Sequence, residues 1–369
     1  MTSDGYERSP IGIAVIGSGR MGTHRARLAA LHPAVEFLGV TDVDEERARA
    51  LAEMTSAQHA GTDAAALITD PRVTSVIVST AEHAHDEPIR LALEAGKPVL
   101  VEKPLSLTLE GARSVVELAE STGTELRVAY SMRYVQRYFV GWEQVRLGKV
   151  GRVVGGMTRV FSNRGTAFEI LKRSPTATPV KDVVTYLVDV IGWYLGPEVR
   201  PVEVVARGHG VMFREHGHDV DDITLCIVTY DDGTVFSFDV SYVVPDRYPT
   251  TGQNLRVEVF GTDGVLLIDD DHRDQILYTE HGYTNAYLEE QKLYLTFLGS
   301  RSSGEWADGK MFGRVADETK AWFDHLATGV PCHHSTARDG LTTLAVTLAM
   351  EEAARTGAVV PVPDMSARS

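Results

Sequence analysis

The sequence IGIAVIGSGRMG, residues 11–22, joins an apolar run to three glycines in the spacing G-x-G-x-x-G. The apolar run predicts a buried parallel strand, and the residues after it have the composition of a helix. In this context Gly17 permits a tight turn, Gly19 lets the backbone approach a pyrophosphate, and Gly22 lets helix and strand pack closely. The amino terminus of the helix attracts the phosphate charge. The residues expected to bind a dinucleotide here are Gly17, Ser18, Gly19, Arg20, Met21 and Gly22.

A second apolar strand ends on an acid, Asp42, twenty residues after Gly22. A carboxylate at that position accepts hydrogen bonds from both hydroxyls of an adenine ribose and repels a 2′-phosphate. Asp42 could also cap the helix predicted from Glu45 to Met54, and the two roles are compatible. Because no arginine immediately follows Asp42, the sequence predicts NAD as the cofactor in preference to NADP.

Strands and helices continue to alternate as far as Ala129, with further apolar strands at 75–79, 99–101 and 125–129. This order predicts an α/β fold that begins with a doubly wound parallel sheet of Rossmann type. Cofactors bind at the carboxyl ends of the strands in such a sheet. The residues that follow those ends, and that we expect to face the cofactor, are Thr80, Glu102 and Lys103.

The triplet Glu102-Lys103-Pro104 is a weak signal by itself, because a lysine before a proline is common in surface turns. The dinucleotide fingerprint upstream and an Asp/Tyr pair downstream change that interpretation. An α/β enzyme keeps its chemistry at the cofactor edge of the sheet, where this strand ends. Lys103 is therefore a candidate catalytic lysine.

Composition limits the classes of protein to which the chain can belong. Its 369 residues suggest two domains, and its net charge of −15 argues against a nucleic-acid or anionic-membrane partner. The two cysteines, Cys226 and Cys332, are far apart and lack zinc-site spacing, which fits a reducing compartment. The polar start of the chain lacks the apolar core of a signal peptide, and no segment approaches the ~20 apolar residues of a membrane span. We expect a cytoplasmic protein.

The pattern changes near Ser131. A helix is predicted from Ser131 to about Leu147, and period-2 strands with hairpin turns at 231–233 and 261–264 follow it. Strands after a run of βα units predict a separate α+β domain with a large, mostly antiparallel sheet. The predicted domains are 1–130 for NAD(P) binding and 131–369 for substrate binding and oligomerisation. Half-apolar strands without enough helix to cover both faces predict an open sheet face, and hence a homodimer or homotetramer.

Two polar runs invite a metal interpretation. Asp269-Asp270-Asp271 is more typical of a solvated turn, since nothing near it in the sequence completes a ligand pattern. Adjacent histidines on a loop, such as His333-His334, are usually surface residues, and no role is assigned to them. The sequence therefore predicts no metal site.

Three segments resemble the Gfo/Idh/MocA oxidoreductases, the superfamily of glucose–fructose oxidoreductase and inositol dehydrogenase. They are GSGRMGTH at 17–24, EAGKPVLVEKPL at 94–105 and GKVGR at 148–152. The resemblance runs over nearly the whole chain, and the Glu-Lys-Pro box is its most specific part. It implies an NAD(P)-dependent enzyme that acts on sugars, polyols or related compounds, with Lys103 in the active site. It also implies that the open sheet face packs against another subunit.

Asp182, Tyr186 and Asp189 are spaced by four and three residues, so a helix would place them along one face. Their segment resembles the family's catalytic helix, which typically reads Asp-x-x-x-His with a second Asp three residues later. Asp182 and Asp189 match that pattern, whereas Tyr186 replaces the histidine and the usual Gly-Gly approach is missing. Some relatives, including glucose–fructose oxidoreductase and the dihydrodiol and xylose dehydrogenases, resemble this chain in having a tyrosine there.

In the family, that histidine moves a proton while the nicotinamide moves the hydride. A tyrosine can do the same if a cation lowers its pKa from ~10 towards neutrality, and Lys103 could supply that cation. Tyr186 could instead be a packed aromatic in an apolar helix, but the resemblance favours catalysis. The predicted catalytic residues are Lys103 and Tyr186, with Asp182 to orient the substrate hydroxyls or the lysine.

The predicted function is an NAD(P)-dependent dehydrogenase or ketoreductase for a hydroxyl or keto carbon of a sugar, cyclic polyol or sugar derivative. Two alternatives remain open. One is a non-catalytic NAD(P)-binding sensor of the same fold, and the other is an NAD-dependent glycosidase. Retention of Lys103, Asp182 and a titratable Tyr186 favours the enzyme, because a sensor has no need of all three.

Overall fold

The structure is a computed structural model that describes residues 8–174, 177–245, 253–269, 276–285, 288–297, 304–307 and 310–365. These residues form two compact units. The first lies within Met1–Tyr134 and Ser302–Leu344, and the second within Val135–Arg301 and Ala345–Ala367. The domain ranges 1–130 and 131–369 stay a prediction. The compact units differ from them in that Ser302–Leu344 packs with the first unit.

The elements alternate between strand and helix in the first third of the chain and are mostly strands after it. The strands are β1 (Ile11–Ile16), β2 (Val35–Thr41), β3 (His59–Gly61), β4 (Ser75–Val78), β5 (Val99–Glu102), β6 (Leu126–Ala129), β7 (Val153–Asn163), β8 (Pro201–His209), β9 (Ile223–Tyr230), β10 (Val235–Val244), β11 (Gln253–Gly261), β12 (Gly264–Asp269), β13 (Ile276–Asn285), β14 (Leu288–Phe297), β15 (Gly304–Ala307), β16 (Lys310–Gly313), β17 (Ser335–Thr336) and β18 (Val360–Pro361). The α-helices are α1 (Arg20–Ala30), α2 (Glu45–Thr55), α3 (Ala64–Thr69), α4 (Asp86–Glu94), α5 (Leu109–Thr122), α6 (Gln136–Arg146), α7 (Arg164–Arg173), α8 (Thr185–Leu195), α9 (Met212–Glu215), α10 (Arg314–Thr328) and α11 (Ala337–Thr356). Shorter helical segments are the 3₁₀ turns Glu82–Ala84 and Ser131–Tyr134 and the π-helical turn Val180–Val184.

The sheet of the first unit has the strand order β17-β6-β5-β4-β1-β2-β3. All neighbours are parallel except β17, which runs antiparallel to β6. Every residue of β1 is buried, as expected for a strand covered on both faces. The predicted doubly wound parallel sheet is confirmed. The short strands β3 and β17 were not predicted, because three and two residues are too few to show a hydrophobic period.

The core of the first unit includes side chains from the last quarter of the chain. Trp322 and Phe323 of α10 are fully buried against apolar residues of β1, β2 and α1. Burying two large aromatic side chains stabilises a domain by several kcal/mol. The α10 helix therefore completes the hydrophobic core of the dinucleotide fold.

One predicted helix is wrong. The helix expected from Ser131 to Leu147 is a 3₁₀ turn, Ser131–Tyr134, followed by α6, which begins at Gln136. Val135 between them is extended, with φ −78° and ψ 119°. The chain leaves the first compact unit at Tyr134 and enters the second at Val135, so the break coincides with the passage between them.

The sheet of the second unit has the order β14-β13-β12-β11-β7-β10-β9-β8-β18. Its neighbours are antiparallel except β7 and β10, which confirms the mostly antiparallel sheet. The predicted turns at 231–233 and 261–264 join β9 to β10 and β11 to β12, and Gly233 has the positive φ of 89° that such a turn requires. Along β9 buried residues alternate with the exposed Leu225 and Ile227, so one sheet face carries exposed apolar side chains.

The two polar runs considered as metal sites have different outcomes in the structure. Asp270 and Asp271 of the predicted solvated turn lie outside the described residues. His334 is buried, and its Nδ1 lies 2.8 Å from the hydroxyl of Tyr134, so the expectation of a surface histidine is wrong. None of the described helices combines the length and the apolar character needed to cross a membrane.

Candidate active site

The glycine loop between β1 and α1 is shaped by close backbone contacts. Gly17 has φ +102°, and a Cβ on it would lie 2.5 Å from Ser79 O, so only glycine fits. A Cβ on Gly22 would lie 1.8 Å from Gly17 O, so the closeness of helix and loop depends on this residue. A Cβ on Gly19 would meet no described atom within 4 Å. The loop is therefore tight against the protein at two glycines and open at the third, where a pyrophosphate needs room.

The amino terminus of α1 supports an anion at that opening. Gly19 is its N-cap, no side chain caps the helix, and its first turn contains no acidic residue. The first backbone N–H groups of a helix carry partial positive charge, which stabilises a phosphate. Arg20 and Met21 belong to this first turn, as predicted for residues of the dinucleotide loop.

Asp42 lies at the end of β2, beside the glycine loop. Its Oδ2 accepts a hydrogen bond from the Ser18 N–H at 2.7 Å, and its Oδ1 accepts one from the Asp44 N–H at 3.0 Å. Each carboxylate oxygen has a second lone pair, which can accept a ribose hydroxyl. The alternative role of Asp42 as a helix cap is wrong, because Asp44 caps α2 by accepting from Glu46 N and Arg47 N.

The carboxyl ends of β4 and β5 carry the other residues expected at the cofactor edge. Thr80 follows β4, and its hydroxyl donates to Ala84 O at 3.0 Å. Glu102 is the last residue of β5, and Lys103 follows it. His85, to which the sequence analysis gave no role, contacts the loops after both strands. Its Nδ1 lies 2.9 Å from Pro104 O and its Nε2 lies 3.3 Å from Thr80 O.

His85 is buried, and burial lowers its pKa despite the two carbonyl contacts, which raise it. A neutral imidazole can donate to only one of the two carbonyls. The ring connects the Glu-Lys-Pro turn to the Thr80 loop. His85 therefore contacts both loops at the carboxyl edge of the sheet.

A buried arginine holds Glu102 from the other side. Arg25 of α1 is fully buried, and its Nε donates to Glu102 Oε1 at 2.9 Å. Its Nη2 donates to Glu318 Oε2 at 2.6 Å and its Nη1 to the Thr319 hydroxyl at 2.5 Å. Burial alone would lower the pKa of Arg25, but the charges of Glu102 and Glu318 outweigh it and keep the guanidinium protonated. Arg25 thus links the helix of the glycine loop, the end of β5 and α10.

In the second unit, Asp182 and Tyr186 lie at the start of the helix expected to be catalytic. Asp182 is in the π-helical turn Val180–Val184, and Tyr186 is in the first turn of α8. A continuous α-helix through these residues was predicted, and that part of the prediction is wrong. π-helical turns are often found at functional sites because they change the direction of the side chains.

Tyr242, at the end of β10, is the partner that sequence reasoning missed. Its hydroxyl donates to Asp182 Oδ2 at 2.6 Å, and the side chain is almost fully buried. Burial raises the pKa of Tyr242 well above its ordinary value, and the negative charge of Asp182 raises it further. Tyr242 therefore keeps its proton and fixes one oxygen of Asp182. Asp189, the third residue of the predicted face, is buried in α8.

The predicted site residues therefore fall into two groups, each within one compact unit. The glycine loop, Asp42, Thr80, Glu102 and Lys103 lie at the carboxyl edge of the parallel sheet. Asp182 and Tyr186 form a cluster with Tyr242. Their roles stay predictions.

Comparisons with known proteins agree with this arrangement. A family model described as "Oxidoreductase family, NAD-binding Rossmann fold" matches residues 11–130. A second model, described as "GFO/IDH/MocA C-terminal domain", matches residues 142–267. The chain is 28% identical over 330 residues to myo-inositol 2-dehydrogenase of Thermotoga maritima, covering 81% of this chain and 92% of that protein. It is 29% identical over 262 residues to scyllo-inositol 2-dehydrogenase (NAD(+)) of Bacillus subtilis, covering 69% and 72%. Scyllo-inositol dehydrogenase from Lactobacillus casei, solved with bound NAD(H) and scyllo-inositol, has a TM-score of 0.75 at 17% identity, covering 96% of this chain and 99% of that one.

The fold and the glycine loop define a Rossmann domain, and the family model over residues 11–130 assigns it to NAD-binding oxidoreductases. The chain belongs to the Gfo/Idh/MocA family, whose NAD-binding and C-terminal domain models both match it. The predictions of this family, of an oxidoreductase and of NAD as cofactor are confirmed. The open Gly19, the uncapped amino terminus of α1 and the position of Asp42 fit that cofactor.

Proposed function

We propose that this chain is an NAD-dependent dehydrogenase that oxidises a hydroxyl of a cyclic polyol or sugar, or reduces the corresponding ketone. The observation that carries the proposal is the cluster of Tyr186, Asp182 and Tyr242. Tyr242 interacts with both Asp182 and Tyr186, and its buried hydroxyl fixes one oxygen of the Asp182 carboxylate. The two curated relatives described above are named for inositols, which supports the polyol class.

The cofactor side of the proposal rests on the first unit. The backbone of Gly17–Gly22 and the amino terminus of α1 would hold the pyrophosphate, and Asp42 would accept hydrogen bonds from the adenine ribose. Thr80 and Glu102 border the nicotinamide end of the sheet edge. When bound there, NAD supplies the hydride acceptor.

Oxidation of a hydroxyl also requires removal of its proton. We assign this proton to Tyr186 Oη, with Lys103, after the carboxyl end of β5, as the second catalytic residue. Asp182 orients the substrate hydroxyls, since an ordinary aspartate is too acidic to serve as the base. Tyr242 sets the orientation of Asp182 before substrate binds, because it donates to Oδ2.

A panel of inositols, aldoses and keto-sugars, assayed by nicotinamide absorbance, tests the proposal. We expect turnover with NAD on at least one cyclic polyol or sugar. Tyr186→Phe keeps the ring and removes the proton carrier, so kcat should fall by roughly 10²–10⁴ while the Kd for NAD stays unchanged. The matched control is Tyr278→Phe, the same change at an exposed tyrosine of β13, which should leave kcat unaltered.

Other outcomes would redirect the proposal. NAD binding without turnover on any substrate of the panel would favour a sensor, and cleavage of glycosides without net NADH would favour a glycosidase. Near-normal turnover of Tyr186→Phe would mean that the proton passes through another group, with Asp182 or Lys103 as the next candidates.

We also propose that the chain is a homodimer or homotetramer that buries the open sheet face of the second unit. Met157, Leu225 and Ile227 on that face expose 51%, 50% and 47% of their surface. Ile227 of β9 and Met157 of β7 lie on either side of Ser237 of β10, so they are on the same face of the sheet. Ile227→Asp should lower the mass measured by light scattering at micromolar protein, and a wild-type monomer would contradict the proposal.

A cytoplasmic location is proposed on the cysteines. Cys226 and Cys332 are both free thiols, which fits a reducing compartment. Fractionation of the native host, with the protein in the cytoplasmic fraction, is the expected result. Recovery outside the cytoplasm would contradict it.

A further inference from the structure

Three potential metal ligands come together at the edge of the parallel sheet opposite the cofactor. Glu125 immediately precedes β6, His325 is in the last turn of α10, and Cys332 lies between α10 and β17. Their ligand atoms all lie within 4.8 Å of one another, and the three residues are half-buried. Since β6 runs parallel to β1, its amino end is on the far side of the sheet from the glycine loop. The cluster is therefore separate from the dinucleotide site.

His325 and Glu125 are each held by a neighbour on the side away from their mutual contact. His325 Nδ1 contacts Val330 O at 2.7 Å, so Nδ1 carries the proton and Nε2 faces Glu125 Oε2 at 2.9 Å. Arg127 Nε donates to Glu125 Oε1 at 2.6 Å, on the other oxygen of the carboxylate. Such outer contacts, which fix the tautomer of a histidine and the orientation of a carboxylate, are typical of protein metal sites.

The thiol of Cys332 completes the set. Its Sγ lies within 4.8 Å of the ligand atoms of Glu125 and His325. A cation bound at the cluster would favour the thiolate, because metals bind cysteine in its deprotonated form. The thiol proton would then leave to solvent as the metal–sulfur bond forms.

The contacts of the two His325 ring nitrogens favour a positive charge at this position. Both ring nitrogens face acceptors, a backbone carbonyl on Nδ1 and a carboxylate on Nε2. With one proton on the ring, Nε2 and Glu125 Oε2 would present lone pairs to each other. A positive charge between them, either a proton or a metal ion, removes that repulsion. The nearby Cys332 sulfur supplies a third potential ligand, which an ion pair does not require.

We propose that Glu125, His325 and Cys332 bind a zinc ion. Sulfur, imidazole nitrogen and carboxylate oxygen together suit Zn²⁺, whereas Mg²⁺ and Ca²⁺ prefer sites made of oxygen alone. With Zn–ligand distances of about 2.0–2.3 Å, tetrahedral ligand atoms lie about 3.3–3.8 Å apart. The present separations, from 2.9 Å to at most 4.8 Å, bracket that range, so small side-chain rotations are sufficient. Three protein ligands leave a fourth position for solvent.

Sequence spacing could not reveal this site, because Glu125 and His325 are 200 residues apart. The zinc would join the start of β6, the end of α10 and the segment before β17, all within the first unit. Its proposed role is to hold α10 on the parallel sheet. This role is independent of the proposed dehydrogenase activity.

The test uses full-length, tag-free protein that has been dialysed against a chelator and titrated with Zn²⁺ against a chromophoric chelator. We expect one zinc per chain and an increase in Tm with zinc. Cys332→Ser, His325→Gln and Glu125→Gln should each weaken binding at least about tenfold and lose the increase in Tm. Two matched controls should bind zinc as the wild type does. They are Cys226→Ala, at the other cysteine, and His281→Gln, in a histidine–carboxylate pair with Asp263 at 2.6 Å.

The absorption spectrum of the Co²⁺-loaded wild type tests the site without relying on variants, which could fail to fold. With Co²⁺ in place of zinc, the site should show a thiolate-to-cobalt charge-transfer band and the intense visible bands of tetrahedral cobalt. Absence of the charge-transfer band, absence of stoichiometric zinc binding, or unchanged binding in Cys332→Ser would each overturn the proposal. Glu125 and His325 would then form only an ion pair.

Discussion

Glu318→Gln is expected to remove a pH dependence of stability that is built into the core of the first unit. Glu318 is fully buried, and its Oε1 has no hydrogen-bond partner among the described residues. Burial raises its pKa to about 7, and the charge of Glu102 raises it as well, against the opposing effect of Arg25. One guanidinium shared by two carboxylates leaves a net negative charge in the core, which protonation of Glu318 removes.

The sign follows from proton linkage. Between the unfolded-state pKa of 4.5 and the folded-state value of about 7, the folded protein binds the proton and the unfolded chain does not. The contribution of Glu318 to the free energy of unfolding is therefore fully present below pH 4.5 and is lost as the pH rises through 7. The pKa difference corresponds to roughly 3 kcal/mol, of which about 2–3 kcal/mol falls between pH 5 and pH 8.

Urea unfolding of wild type and Glu318→Gln at pH 5 and pH 8 measures this effect. Glutamine is neutral at both pH values, so the variant should gain about 2–3 kcal/mol relative to wild type on going from pH 5 to pH 8. Tryptophan fluorescence includes the signal of buried Trp322, one turn after Glu318, and hydrogen exchange of α10 gives a local readout. Glu94→Gln, at an exposed residue of α4, is the matched control and should show no such change. If the difference between Glu318→Gln and wild type is the same at both pH values, Glu318 is ionised throughout and the reasoning fails.

Three other predictions concern the cofactor and the proton. Asp42→Ala should raise the Kd for NAD by about tenfold to a hundredfold and reduce the preference for NAD over NADP, because charge-assisted hydrogen bonds to the ribose are lost. The assignment would be contradicted if the wild type binds NADP more tightly than NAD and Asp42→Ala leaves the Kd for NADP unaltered. Gly19→Ala should weaken NAD binding without lowering Tm, since its Cβ would meet no described atom within 4 Å. Gly22→Ala should lower Tm, because its Cβ would lie 1.8 Å from a backbone oxygen. Calorimetry and NAD titration of both variants test this difference, and equal losses of Tm would refute it. Lys103→Met and Tyr186→Phe should each lower kcat by roughly 10²–10⁴. If both residues act on one proton, kcat of the double variant should be little lower than that of the less active single variant. Additive losses of activation free energy would mean that they act separately.

The sequence was sufficient where the pattern was local. The glycine loop, the acid after β2 and the hairpin turns each depend on residues close together in the chain, and each is found as predicted. What it could not provide were contacts between distant segments. Tyr242 reaches Asp182 across 60 residues, and Arg25 reaches Glu318 across 293, with no pattern at either end to connect them. The π-helical turn at Asp182 was missed for another reason, since spacing alone does not distinguish a π turn from an α turn.

The return of α10 to the first unit has a consequence for synthesis of the chain. Arg25 is made early, but Glu318, its partner in the core, follows 293 residues later. At about 5–20 residues per second, the ribosome needs roughly 15–60 s to supply it. All six parallel strands are complete once Ala129 has been added. The apolar surface that Trp322 and Phe323 later cover nevertheless stays accessible until α10 is made. A nascent chain stalled before α10 should therefore remain bound to chaperones, and one extended past Leu344 should release them.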